Sequence, residues 1–140
     1  MNRQNYTIST VLDIPAEEFD ALMSEVGWGN DGYFTQEVVA KHFSTVSLGA
    51  YIRDAEGKLC GYVSAIDNGY GVYFIDTIAI LPDLIKEEIS RMLVHEVAKQ
   101  CCGRPLYAIP FVDQQEVFLA EGFRIPGRPM AALSHFSKTK

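Results

Sequence analysis

The sequence lacks any long apolar run. Its apolar stretches have the length of strands and are interrupted by polar residues, and a membrane span needs about 20 consecutive apolar residues. The first ten residues, MNRQNYTIST, contain no apolar core of the kind found in secretory signals. We therefore expect a cytoplasmic protein that has no membrane partner.

Cysteine is scarce as well. The chain has Cys60, Cys101 and Cys102, and an odd number with two adjacent members does not predict a disulfide framework. There is no Cys-x-x-Cys pair and the histidines are scattered, so the pattern does not predict a zinc site and we expect no metal. We expect reduced, partly buried thiols.

The chain contains fewer basic than acidic residues. Twelve Lys and Arg residues stand against 18 Asp and Glu residues, which gives a net charge of −6. Nucleic-acid binding depends on a basic surface, so we expect no nucleic-acid partner. The 140 residues have the size of one domain, and we treat residues 1–140 as a single domain.

What the sequence does contain is an ordered series of strand and helix patterns. Strands are predicted over Tyr6–Val11, Leu48–Arg53, Leu59–Ala65, Val72–Leu81, Pro105–Phe111 and Met130–Phe136. Helices are predicted over Ile14–Gly27, Thr35–Phe43, Asp83–Cys101 and Asp113–Glu121. The order β-α-α-β-β-β-α-β-α-β predicts an α/β protein with a mixed sheet and helices on both faces.

The junction between the central strand and the helix after it is the most informative segment. A strand that leads directly into a helix leaves backbone N–H groups at the helix start, where α/β proteins bind anionic groups. Between Pro82 and Leu93 there is no glycine, although a loop that wraps a phosphate normally needs several.

Three segments in this order resemble the GNAT superfamily, acyltransferases that move an acetyl group from acetyl-CoA to an amine. Tyr51–Ala65 (YIRDAEGKLCGYVSA) resembles the family's hairpin, Ile75–Pro82 (IDTIAILP) its cofactor-binding strand, and Phe118–Phe123 (FLAEGF) its late helix that ends in Gly-Phe. The resemblance runs from about Tyr6 to Phe136 and implies a GNAT-like fold.

The resemblance also implies how acetyl-CoA would bind. A bulge would separate the central strand from the next parallel strand, and the pantetheine arm would pair with the exposed backbone. The residues implied are Ile78, Ala79 and Ile80 for the backbone pairing, and Lys86, Ser90 and Arg91 for the phosphates. The alternative for these residues is an ordinary core strand followed by a solvated helix face.

Three positions depart from the family pattern. Ile85 stands where the family has Gln or Arg, Glu88 stands at a glycine, and Phe118 stands at a proton-donating tyrosine. A second negative charge beside a phosphate costs about 4 kcal/mol near a surface before screening by salt, and a phenyl ring has no proton to donate. Two hypotheses follow: an acetyltransferase, or a GNAT-fold binding or regulatory module, alone or as a homodimer, that has lost the cofactor site.

The candidate catalytic residues are Asp76, Asp67 and Tyr107. Asp76 lies in an apolar strand. A carboxylate there is costly to bury unless it is paired or has a function, so Asp76 is the first candidate for the base. Asp67 is the second, although turn aspartates usually cap their own backbone. Tyr107 is the candidate acid in place of Phe118, and strand packing is the alternative role. Nothing in the chain marks an activated nucleophile, so we expect direct transfer.

Three aromatic residues are candidates for an acceptor pocket: Trp28, Tyr33 and Tyr73. Trp28 and Tyr33 lie in a turn-rich loop, WGNDGY, where exposed rings suit ligand contact and packing under the loop is the alternative. The acidic charge of the chain favours a small cationic amine of polyamine-like or aminoglycoside-like character, although acidity also serves solubility.

Overall fold

A five-stranded mixed sheet forms the centre of the molecule. The computed structural model describes residues 5–82 and 86–135. The strands are β1 (Thr7–Ser9), β2 (Leu48–Arg53), β3 (Leu59–Asp67), β4 (Tyr73–Ile80) and β5 (Leu106–Tyr107), in the spatial order β1-β2-β3-β4-β5. Neighbouring strands are antiparallel except for β4 and β5, which are parallel. The predicted mixed sheet is confirmed.

Four helices accompany the sheet. They are α1 (Ala16–Val26), α2 (Gln36–Thr45), α3 (Lys86–Gln100) and α4 (Gln115–Ala120), and a short 3-10 turn over Val112–Gln114 leads into α4. The left-handed Gly27 ends α1, since its φ is 94° and its N–H bonds back to the carbonyls of Met23 and Ser24. Thr35 caps α2 by accepting the N–H of Val38. Both helix ends match the sequence prediction.

The helices cover opposite faces of the sheet. Tyr62 and Gly61 are neighbours on β3, so their side-chain directions point to opposite faces. The ring of Phe19 on α1 packs edge-on against Tyr62, with 5.0 Å between ring centroids. On the other face, Ile89 and Leu93 of α3 lie so close to Gly61 that a Cβ there would meet them at 3.1 and 3.2 Å. Glycine at this point lets α3 pack tightly on the sheet.

The hairpin between β2 and β3 forms as predicted. The carboxylate of Asp54 accepts the backbone N–H groups of Glu56 and Lys58, each at 2.9 Å, and Gly57 takes the left-handed φ of 85° that the turn requires. Ile52 of this hairpin is fully buried in the core. Full burial of one aliphatic side chain stabilises a fold by about 1.5–3 kcal/mol.

Two predicted strands differ from the structure. The strand predicted over Pro105–Phe111 is confined to Leu106–Tyr107, which pair with Tyr73 and Phe74 of β4. The described part of the segment predicted as Met130–Phe136 contains no strand, and Phe136 lies outside the described residues. Met130 and Leu133 are 65% and 93% exposed, so the apolar pattern that predicted this strand has no core to pack on.

Candidate active site

A β-bulge places Asp76 at the centre of the site. Ser64 pairs with Thr77 and Ala65 pairs with Ile75, so Asp76 is an extra residue in β4. A bulge turns two consecutive side chains to the same face of the sheet, and both Asp76 and Thr77 line a common pocket. The Asp76 carboxylate accepts hydrogen bonds from the hydroxyls of Ser64, at 2.9 Å, and Thr77, at 3.0 Å. The bulge is the feature that the family resemblance implied.

The strands β4 and β5 part next to this bulge. Within the described chain their pairing consists of Tyr73 with Leu106 and Phe74 with Tyr107. β4 continues for six further residues, to Ile80, without β5 beside it. The edge of β4 that follows the bulge is therefore left without a neighbouring strand among the described residues.

The alternation of backbone groups shows which residues face this edge. Leu81 donates its N–H to the carbonyl of Cys60 on β3, at 3.0 Å. Because an antiparallel pair alternates its bonded residues, the backbone of Ala79 also faces β3, whereas the backbones of Ile78 and Ile80 face the edge left by β5. An extended ligand with amide groups has donors and acceptors available at these two residues.

A small hydrophobic cluster lies beneath the opening between β4 and β5. Phe118 of α4 is 4% exposed, and it packs with Val94 of α3 against Ile75 and Ile78 of β4. Its ring also meets Phe123 edge-on, at 5.3 Å. Phe118 is thus a packing residue of this cluster.

A pocket of about 280 Å³ opens on the opposite face of the sheet, beside α1 and α2. The residues that line it are Phe19, Met23, Trp28, Tyr33, Phe34, Val38, His42, Asp76 and Thr77. Asp76 is the one carboxylate among these described lining residues. The structure thus brings together three residues singled out from the sequence: Trp28, Tyr33 and Asp76.

The aromatic loop of the pocket is held by Asp20 of α1. The Asp20 carboxylate accepts the N–H groups of Gly32 and Phe34, both at 3.0 Å. Phe34 is thereby set with its ring edge-on to Phe19, at 5.4 Å, and to Tyr33, at 4.9 Å. One side chain of α1 therefore fixes the position of a loop that lies 12 to 14 residues further along the chain.

His42 is a site residue that the sequence analysis did not identify. It lies on α2 with its Nε2 2.8 Å from the hydroxyl of Tyr62, in hydrogen-bonding contact. Burial lowers the pKa of His42, and the nearby Asp76 carboxylate acts in the opposite direction. The available signal was its spacing, because His42 follows Val38 by four residues and shares the inner face of α2.

Ser90 and Arg91 are the residues expected at the phosphates whose side chains the structure describes. Arg91 forms an ion pair with Glu121 at 3.2 Å, and the same carboxylate lies 3.1 Å from Nδ1 of His95. Ser90 is 2% exposed. Ile85 and the side chain of Lys86 lie outside the described residues. Burial raises the pKa of Tyr6, and the negative charges near this residue, Glu88 among them, raise it further.

The remaining candidates lie apart from the pocket. Tyr107 stacks on Phe74 across the β4–β5 pair, with 5.5 Å between rings and 22° between their planes. Tyr73 lies in the paired start of β4 and is not a lining residue. Asp67 accepts the N–H groups of Gly69 and Gly71, at 2.9 and 3.0 Å, and so caps its own turn.

The thiols are free, and two of them are buried. Cys60 and Cys101 are buried, and Cys102 is exposed. Burial raises the pKa of Cys60 to about 11. In residues 5–82 and 86–135, no group of three or more His, Cys, Asp or Glu residues is placed to hold a metal ion. No helix of that same part of the chain combines the length and the apolar character needed to cross a membrane.

Comparison with solved structures identifies the fold as that of the GNAT superfamily. A GNAT-family acetyltransferase from Streptococcus pneumoniae superposes with a TM-score of 0.72 at 17% identity, over 96% of this chain and 99% of that one. An Escherichia coli GNAT-family N-acetyltransferase in complex with CoA gives 0.65 at 19% identity, over 86% and 69% of the two chains.

A phosphinothricin acetyltransferase from Sinorhizobium meliloti, in complex with AcCoA, gives a TM-score of 0.68 at 18% identity, over 88% of this chain and 77% of that one. No protein-family model matches the sequence. No curated protein matches it either. The likeness is therefore one of overall fold, at 17–19% sequence identity.

Proposed function

We propose that this protein transfers an acetyl group from acetyl-CoA to the amine of a small cationic acceptor. The observation that carries the proposal is the position of Asp76. The bulge turns its carboxylate into the aromatic pocket at the point where the free edge of β4 begins. A pocket for the amine and an edge for an extended cosubstrate thus meet at one ionisable side chain.

The residues present fit the amide-containing arm of acetyl-CoA. The backbones of Ile78 and Ile80 face the open edge and supply donors and acceptors, while Ala79 between them keeps the strand paired to β3. When bound, acetyl-CoA supplies an activated thioester to which a deprotonated amine adds. At the phosphates, Arg91 of α3 is the proposed cation, and binding a phosphate requires it to give up or share its ion pair with Glu121.

The pocket residues prepare the amine. Asp76 attracts the ammonium and accepts a proton, directly or through the neighbouring His42, whose lowered pKa favours the neutral imidazole near pH 7. The rings of Trp28 and Tyr33 line the pocket beside the reacting nitrogen. Tyr107 is the proposed proton donor to the leaving thiolate, since it lies where β4 and β5 part. Transfer is direct, because no cysteine is among the described residues that line the pocket.

Calorimetric titration of the purified protein with acetyl-CoA and with CoA tests the proposal. We expect micromolar binding of both, and amine-dependent release of CoA when an acceptor is added. Glu88→Gly is expected to tighten CoA binding, because it removes a negative charge near the phosphates. No heat of binding at millimolar acetyl-CoA would reject acetyl transfer in favour of a GNAT-fold binding module.

A further inference from the structure

The wall of the acceptor pocket is mainly aromatic and apolar. Its deeper part is formed by Phe19 and Met23, which are 1% and 3% exposed, and its mouth by the more exposed rings of Trp28 and Tyr33. The one carboxylate among the described lining residues, Asp76, comes from the sheet. The pocket therefore has a charged point on one side and an apolar wall around the rest.

We propose, building on the acetyl transfer proposed above, that the acceptor is an arylalkylamine: one primary ammonium joined by a short chain to an aromatic ring. The ammonium would meet Asp76, and the ring would join the edge-to-face arrangement of Phe19, Phe34 and Tyr33. Aromatic rings favour such edge-to-face and offset contacts, and an ammonium also gains from ring faces close to it.

The carboxylate has room for an ammonium. Ser64 donates to one oxygen of Asp76 and Thr77 to the other, and each carboxylate oxygen has a second lone pair to offer. His42 is the one ionisable nitrogen group among the described lining residues. Burial lowers its pKa, so at neutral pH it adds little positive charge to repel the ligand. One ammonium is therefore stabilised without a competing cation.

Polyamines and aminoglycosides fit this pocket poorly. Its volume of about 280 Å³ is close to the lower end of the roughly 300–1,000 Å³ of ligand pockets, which suits a compact molecule. A second ammonium would have to lose water with no second carboxylate among the described lining residues to pair with it. Asp20, which holds the neighbouring loop, is not among the described residues that line the pocket.

The single tryptophan of the chain is a reporter for this site, because Trp28 lines the pocket. The experiment is a titration of Trp28 fluorescence with 2-phenylethylamine, 2-phenylethanol, ethylamine and 1,4-diaminobutane, repeated by calorimetry. We expect 2-phenylethylamine to bind at least about tenfold more tightly than each of the others, since the alcohol lacks the charge and the small amines lack the ring.

Two variants separate the roles of charge and ring. Asp76→Asn is expected to weaken the binding of 2-phenylethylamine about tenfold and to leave the affinity for 2-phenylethanol unchanged. The preference for the amine over the alcohol would then be lost. Asp67→Asn is the matched control, because asparagine keeps the oxygen that caps the β3–β4 turn and the site is remote from the pocket lining. Tyr33 is 59% exposed. Tyr33→Leu is expected to weaken the binding of 2-phenylethylamine and to leave the affinity for ethylamine unchanged.

Equal or tighter binding of 1,4-diaminobutane, or of the alcohol, would overturn the assignment. So would the absence of any 2-phenylethylamine signal in both fluorescence and calorimetry. The failure of the underlying acetyl transfer is recognised separately: in that case 2-phenylethylamine binds and shows the expected preferences, while acetyl-CoA gives no heat of binding.

Discussion

Ser64 on β3 donates its hydroxyl to the carboxylate of Asp76 on β4, with 2.9 Å between the two oxygens. Ser64 is fully buried, and its neighbour Tyr62 on the same face lies in contact with His42. The bond therefore anchors the extra residue of the bulge to the rigid centre of the sheet. It holds the carboxylate toward the pocket instead of leaving it to rotate into solvent.

Asp76→Asn is expected to lower kcat/KM for acetyl transfer by about 10²–10⁴-fold, because an amide neither attracts the ammonium nor accepts its proton. The affinity for acetyl-CoA is expected to stay the same, since it is carried by the backbone of β4. Steady-state kinetics and calorimetry measure the two quantities. A kcat/KM within threefold or so of the original would exclude Asp76 as the base.

Asp20→Ala is expected to release the aromatic loop. The variant loses two hydrogen bonds from the N–H groups of Gly32 and Phe34 to a carboxylate, each of a type worth about 1.5–3 kcal/mol and worth less where solvent reaches it. We expect a lower free energy of unfolding in urea, a red shift of Trp28 emission and weaker amine binding. Asp31→Ala, at an exposed carboxylate of the same loop, is the control. Unchanged emission in Asp20→Ala would contradict the role of Asp20.

Acid is expected to destabilise the protein partly through His42. Burial lowers its pKa below the usual 6.5, so the unfolded chain binds the proton more readily than the folded one. The neutral His42 side chain therefore contributes to the free energy of unfolding above pH 6.5. This contribution is lost as the pH falls from 6.5 through the pKa of His42 in the folded protein. Urea unfolding between pH 7.5 and pH 5.5 is expected to show a smaller loss of stability for His42→Gln, which can still bond to Tyr62. Identical losses in the two proteins would show that His42 does not carry this dependence.

The thiols are expected to differ in reactivity. Cys102 is exposed, whereas Cys60 and Cys101 are buried and burial raises the pKa of both. A thiol reagent at pH 8 is therefore expected to modify one thiol of the native protein quickly and all three in denaturant, because the thiolate is the reacting form. Cys102→Ser is expected to abolish the fast phase. Rapid modification of a second native thiol would show that one of the buried sites opens.

The sequence by itself determined the features that depend on neighbouring residues. The Asp54–Gly57 turn, the Thr35 cap and the Gly27 helix end follow from backbone preferences within a few residues, and all three are present in the structure. The order of strands and helices predicted the mixed sheet. An acid in an apolar strand singled out Asp76, and two rings in a turn-rich loop singled out Trp28 and Tyr33.

Only the tertiary structure decided how these residues meet. The register between β3 and β4 turns Asp76 to the same face as Thr77, and no local pattern encodes the register of a distant strand. Packing decided the roles of two others. His42 lines the pocket from α2, and Arg91 is held by Glu121, the residue that follows α4. The predicted last strand is absent from the described residues 130–135, because alternating apolar residues become a strand only where an edge and a core receive them.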